Sequence, residues 1–211
     1  MNTRTRIMTS MFVLMASIGL SMGQVKAESS GLITLVDIQL NEMADYKKLI
    51  PIIKKWEGGF SNNPNDKGGA TNSGVTLSTF RYYYGKNKTA ADLKKMTDEQ
   101  WEHIFKDGYW NRWSADSIQS QSIANIVVDW LWASGVYGIK YVQKILGVAD
   151  DGVVGNITIT AINTYPNQKD LFGKIWARRK KHFDDIVKKN PKQKVFLNGW
   201  YNRLNSFRWN G

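Results

Sequence analysis

The sequence predicts a mainly α protein with one small β-hairpin, and three observations carry that expectation. Apolar residues recur at helical spacing through most of the chain from Asp45 onward, and capping and stop signals bracket those runs. Only residues 60–76 combine turn residues with β-branched neighbours. A length of 211 residues, with 42% hydrophobic and 22% charged side chains, suits one domain or two small lobes around a real core, and excludes a disordered chain or a multi-span membrane protein.

The elements follow in order. Residues 1–27 read as a signal peptide: Arg4 and Arg6 start it, Ile7–Val25 carries no charge, and Val25-Lys26-Ala27 offers small residues at the two positions a signal peptidase reads. The apolar run is broken by Thr, Ser and Gly, which suits cleavage better than a permanent membrane span. Residues 28–44 are a polar lead-in. Leu49, Ile52, Ile53 and Trp56 then lie at i, i+3, i+4, i+7, with Pro51 in the first turn or at a kink and Gly58-Gly59 as the stop. Asn62-Asn63-Pro64-Asn65-Asp66 and Gly68-Gly69 supply turns for a hairpin flanked by Phe60 and Val75. Thr97 and Gln100 form a capping box before Trp101, Ile104 and Phe105. Ser122 is expected to cap a helix through Trp130 and Leu131 that Gly135 closes. Shorter helices are expected at 138–146 and 157–163, a long one at 168–189 stopped by Pro191, and a last one at 194–207 through Phe196, Trp200 and Leu204.

Charge and composition narrow the function. The net charge is +11, of which Arg4, Arg6 and Lys26 carry three, so the mature chain keeps +8 and favours polyanionic partners. Export argues against nucleic acid and leaves anionic lipid or a bacterial wall. No cysteine is present, so no lipid is attached at Cys and no disulfide staples the fold. Nine Trp fill a core or line a sugar groove.

The chemistry is reached by elimination. His103 and His182 cannot make a three-His zinc site, no cysteine completes one, and no Gly-x-Ser-x-Gly turn or phosphate-cradling glycine loop exists. Asp150-Asp151-Gly152 lacks the alternating ligands of a calcium loop and reads as a turn. No metal or organic cofactor is expected, and carboxylate chemistry remains. Glu57 ends an apolar helix beside Trp56. The negative end of the helix dipole and apolar surroundings favour its protonated form, provided Lys54 and Lys55 point elsewhere. A protonated carboxyl is what protonating a leaving sugar oxygen requires; the alternative is a solvated Glu at a helix end. Asp66 and Thr71 follow nine and fourteen residues later, where a hairpin packed on that helix end aims them across a cleft to hold a water. Asp66 is equally an ordinary turn residue, and Thr71 an ordinary strand residue.

The run Trp56-Glu57-Gly58-Gly59-Phe60-Ser61-Asn62-Asn63-Pro64-Asn65-Asp66-Lys67-Gly68-Gly69-Ala70-Thr71-Asn72-Ser73-Gly74-Val75-Thr76 resembles the opening motif of glycoside hydrolase family 108, lysozyme-like N-acetylmuramidases of which some are labelled secretion activators. Tyr109-Trp110-Asn111, the stretch Asp129 to Gly135, and Phe196 to Arg203 resemble the same family. Val142 to Gly147 and Asp151 to Thr158 resemble the peptidoglycan-binding half usually fused to it. Lys67 and Asn156 depart from the family where Pro is common, which changes backbone stiffness rather than chemistry.

The resemblance implies a lysozyme-like fold with the hairpin beside the catalytic helix, a catalytic region over 45–134 and a helical peptidoglycan-binding-like region over 135–211. It implies Glu57 as general acid. The Glu57–Asp66–Thr71 spacing is also similar to that of phage-type lysozymes, although one residue shorter in the second gap. Tyr83, Trp110 and Asp129 are candidate substrate-binding residues. Trp110 reads equally as core, Asp129 as internally paired, and Tyr82, Tyr83 and Tyr84 cannot all face one way on a helix. Arg178-Arg179-Lys180-Lys181 reads as a solvated face. The expectation is an exported monomer, periplasmic or extracellular, that hydrolyses the bond between N-acetylmuramic acid and N-acetylglucosamine in peptidoglycan strands. The rivals are a non-catalytic peptidoglycan-binding module serving a secretion system and a lytic transglycosylase.

Overall fold

A computed structural model describes residues 43–62 and 69–210, so the signal peptide, most of the lead-in and Asp66 lie outside the described residues. Helix α1 (Tyr46–Trp56) starts at Asp45, whose side chain accepts from the Lys47 N–H, and it buries Leu49 and Ile53. Pro51 is accommodated within it. Asp45 is also laced to Gln121 in both directions, its N–H donating to the amide oxygen and its carbonyl accepting from the amide nitrogen. The helix stops because Glu57 takes an extended backbone (φ −90°, ψ 138°) and glycines follow.

Strands β1 (Thr71–Asn72) and β2 (Val75–Thr76) pair antiparallel, Thr71 opposite Thr76. Their turn is Ser73-Gly74, with φ of 48° and 78°. Two successive left-handed residues suit the right-handed strand twist, and glycine makes the second one cheap. The sequence reading put the turn within 62–69. Ser61 and Thr71, on either side of that stretch, form an antiparallel bridge with both N–H···O bonds at 2.8 Å, and residues 63–68 between them lie outside the described residues. The tight Ser73-Gly74 turn between β1 and β2 is a further turn that the sequence reading does not single out.

Helices α2 (Leu77–Tyr84) and α3 (Ala90–Lys94) lead to α4 (Asp98–Phe105). The expected Thr97–Gln100 capping box is present and positions Trp101, Ile104 and Phe105 in the core. Thr97→Ala is expected to cost about 1 kcal/mol in denaturant unfolding, the usual loss for an N-cap hydroxyl. A wide π-type turn (Lys106–Trp110) follows.

The centre of the molecule is α5 (Gln121–Ser134), buried over most of its length and packed against α1, α6 (Tyr137–Leu146) and α8 (Gln168–Lys189). Its cap is Ser120 rather than the expected Ser122, which is buried and accepts from the Asn210 N–H. Gly138 lets α6 close on α5, since a Cβ there would stand 2.7 Å from the Leu131 nitrogen. Helix α7 (Asn156–Asn163) precedes α8, and α9 (Lys194–Asn205) returns along it. The chain from Met43 onward clusters as one body, and the expected boundary at 134/135 falls at the α5–α6 junction inside it. No helix among the described residues is long and apolar enough to cross a membrane.

Two expectations are corrected here. Arg179 is not on a solvated face: it is fully buried against Asp129. Phe196 does not face inward but is 54% exposed, so α9 is anchored through Leu204 instead.

Candidate active site

The end of α1 carries the site. Glu57 is the first residue past the helix, and the hairpin is held against this end by the Ser73 N–H donating to the Gly58 carbonyl at 3.1 Å. Glu57 is mostly enclosed, with 15% of its side chain exposed. Its Oε1 accepts two hydrogen bonds, from Trp132 Nε1 at 2.6 Å and from Arg203 Nη1 at 2.7 Å. Its Oε2 lies against Gly74, where a Cβ would come within 2.6 Å of that oxygen and of the Trp132 ring. The hairpin turn thus needs a glycine twice, for its left-handed backbone and for this approach. Gly74→Ala is expected to displace Glu57 and lower activity at least about tenfold, read by kcat/KM, with a lowered melting temperature.

Behind Glu57 stands a buried charge network. Arg203 gives its Nε and Nη2 to Asp129, at 3.0 and 2.6 Å to Oδ1, and Asp129 Oδ2 accepts from Arg179 Nη2 at 2.6 Å. Asp129 is wholly inaccessible. Two arginines and two carboxylates make a quartet whose charges balance when Glu57 is ionised and sum to +1 when it carries a proton, and this mutual pairing is how such charges tolerate burial. Burial opposes the charge on Arg203, but Asp129 first and then Glu57 outweigh it, so this guanidinium is held more firmly protonated than usual. Arg179 has only Asp129, and burial pushes its pKa down. Trp56 Nε1 donates to Ser206 Oγ at 3.1 Å and fastens the end of α9 beside the end of α1.

One wall is aromatic. The Trp132 ring packs on Tyr109 (centroids 4.6 Å apart), Trp101 and Phe105. Trp101 Nε1 donates to the Ser73 carbonyl at 2.8 Å and pins the hairpin turn. Burial raises the Tyr109 pKa, and the nearby Glu57 charge adds to that rise.

The sequence-derived candidates separate on this geometry. Glu57 is at the centre. Thr71 sits on β1, half-buried, opposite Thr76. Tyr83 packs near Gly108 and donates to Asp107 at 2.8 Å, and burial with that bond raises its pKa. Tyr82 is the exposed member of the three tyrosines, at 83%. Trp110 is corrected as a groove wall: it is fully buried, donates to Asp116 at 2.7 Å and packs on Tyr46. Asp129 is corrected likewise, because a carboxylate with no exposed surface and three guanidinium N–H partners has no edge left for a substrate. Lys54 pairs with Asp98 and Lys55 lies over the Trp56 ring, so neither claims Glu57, and the cation that does reach it is Arg203. Sequence reading missed Arg203, Trp132, Arg179 and Gly74 as site residues. Arg203 and Trp132 lie in segments that carry the family resemblance, which was the one available signal.

A helical frame with a short hairpin at one helix end, holding an enclosed carboxyl against a Trp and an Arg, fits a lysozyme-like glycoside hydrolase. Comparison with known families agrees with this class. Residues 50–135 match the family described as Glycosyl hydrolase 108, and residues 137–205 the Predicted Peptidoglycan domain. The chain thus carries a region similar to glycosyl hydrolase 108 followed by one similar to the predicted peptidoglycan domain, the two meeting at the α5–α6 junction. Among solved structures it is similar to SagA of Brucella abortus, with 28% identity, a TM-score of 0.66, and coverage of 77% of this chain and 90% of that one. No curated protein matches the sequence.

Proposed function

We propose that the protein is an exported N-acetylmuramidase that hydrolyses the β-1,4 bond between N-acetylmuramic acid and N-acetylglucosamine, with Glu57 as general acid. The observation that carries this reading is the one-sided anchoring of Glu57. Two N–H donors occupy Oε1, so the transferable proton belongs on Oε2, the oxygen beside Gly74. The proton passes from Oε2 to the bridging sugar oxygen as the glycosidic bond breaks. The carboxylate left behind is stabilised by Trp132 and by Arg203, which meet the new charge with fixed donors and no reorganisation. Asp129 holds the Nε and Nη2 edge of Arg203, which leaves Nη1 fixed to orient Glu57. Arg203 and Asp129 act through Glu57 and are positioning residues.

Asp66 and Thr71 hold the attacking water on the opposite face of the ring, and Asp66 takes its proton, which inverts the anomeric centre. Tyr83, which lies near Tyr109 and donates to Asp107, is assigned a contact with the sugar strand in this reading. The substrate is the peptidoglycan strand, and the work place is the periplasm or beyond.

Two measurements test the reading. Purified sacculi should lose turbidity with the wild-type protein and not with Glu57→Gln. Magnetic resonance of the first product anomer should show inversion; retention would remove Asp66 and Thr71 as water holders while leaving Glu57 in place. If sacculi bind the protein and never clear, the non-catalytic binding module is the better account.

A further inference from the structure

A groove of about 880 Å³ opens away from Glu57, between the last turn of α5, the start of α6 and the last turns of α8. Ala133 and Ser134 on its floor follow Trp132 directly, and at about 100° per residue they face other directions from the helix than Trp132 does. One wall is aromatic. Tyr137 is 56% exposed and stacks on Tyr141 with centroids 6.2 Å apart, and the His182 ring packs beside both. The Arg178 guanidinium lies 3.5 Å from the centroid of the Tyr141 ring and fixes that ring in place.

The opposite rim is cationic. Lys188 and Lys189 are exposed and, among the described residues, neither has an ion-pair partner, whereas Asp185 is already bound by Lys181 at 2.8 Å. Burial, with the Arg178 charge adding to it, lowers the His182 pKa, so near neutral pH it offers one donor and one acceptor instead of a charge.

We propose that this groove is a second peptidoglycan site, separate from the catalytic cleft, that takes a sugar ring on the exposed face of Tyr137 and a stem-peptide carboxylate on Lys188 and Lys189. A flat aromatic face beside neutral hydrogen-bonding groups fits a sugar, and two unpaired cations a short reach away fit a carboxylate attached to it. Muramyl-peptide strands carry both at a fixed separation, whereas a free polyanion offers nothing for the tyrosine. All of the lining side chains except Ala133 and Ser134 lie in the predicted peptidoglycan domain. The proposal rests on peptidoglycan as the substrate, and it assigns the second half of the chain a grip on the wall in addition to Arg203.

The test uses the full mature chain carrying Glu57→Gln, so that binding is read without turnover, in co-sedimentation with purified sacculi. Adding Tyr137→Ala with Lys188→Ser and Lys189→Ser is expected to weaken binding about tenfold, which is about 1.4 kcal/mol. The lysine pair alone should flatten the salt dependence of binding, since fewer charges are screened. Tyr137→Phe keeps the ring and should bind like the parent. All three groove positions are at the surface, and circular dichroism checks that each variant is folded.

In the Glu57 background the same groove variants should keep the parent's kcat/KM on a short soluble muro-oligosaccharide and lose rate only on sacculi. Parent-like sedimentation of the triple variant would overturn the proposal, as would groove-dependent capture by anionic phosphatidylglycerol vesicles in place of sacculi. The outcome is distinguishable from failure of the enzymatic reading. A protein that releases no sugars yet loses sacculus binding on groove substitution keeps this site and loses the muramidase.

Discussion

Glu57→Gln is expected to reduce kcat/KM on sacculi by about 10²- to 10⁴-fold, the contribution of a positioned general acid. Gln is the right replacement because its amide oxygen still accepts from Trp132 and Arg203, so the geometry at Oε1 survives while the proton at Oε2 is lost. Thermal melting should therefore move little. A variant as active as the parent would mean that another group supplies the proton. A variant both inactive and unfolded would point to Glu57→Asp as the next probe, which keeps the charge and shortens the reach.

The second large effect is on stability. Asp129→Ala leaves Arg179 fully buried with no partner among the described residues and removes two of the three groups' worth of hold on Arg203. Breaking a buried pair from one side costs about 3–5 kcal/mol, because the remaining charge is stranded without water. Denaturant unfolding should show that loss. Activity should fall as well, since Arg203 no longer fixes Glu57. Asp129→Asn keeps the acceptor oxygen without the charge and should fall between the two. If Asp129→Ala unfolds like the parent, the quartet is not what holds α5, α8 and α9 together. Arg203→Lys separates structure from chemistry: it keeps the charge, loses the two-sided fork, and should lower kcat more than stability.

Much of the fold was legible because its signals are local. The Thr97–Gln100 box, the stop at Gly135 and the 168–189 helix each announce themselves within a few residues, and each is present. The mainly α class with one hairpin beside the helix that ends at Glu57 follows from the same local signals. The Ser73-Gly74 turn, which the sequence reading does not single out, shows where local reading falls short. Asn-Pro-Asn-Asp is a stronger turn sequence than Ser73-Gly74, yet the tight turn is made where Trp101 pins the Ser73 carbonyl and Glu57 needs a neighbour without a Cβ. Those are tertiary demands.

The site was half legible for the same reason. Glu57 stands out because a charged residue closes an apolar helix just before two glycines. Arg203 does not, since it lies 146 residues away and looks like any exposed cation on an amphipathic helix. Asp129 and Arg179 could be seen as charges, but whether a charge is solvated or buried against its opposite depends on which helices meet. Trp110 was open between groove and core because tryptophan serves both, and burial decided for the core.

The most direct test of the account is the chemistry of the ends left on released sugars. Purified sacculi are digested with residues 28–211 and with its Glu57→Gln variant, and the soluble fragments are weighed by mass spectrometry. The account predicts hydrated fragments with reducing N-acetylmuramic acid ends from the parent and none from the variant. Anhydro-muramic ends would show that no water enters the reaction and would contradict hydrolysis. Equal release by both proteins would contradict Glu57 as the acid.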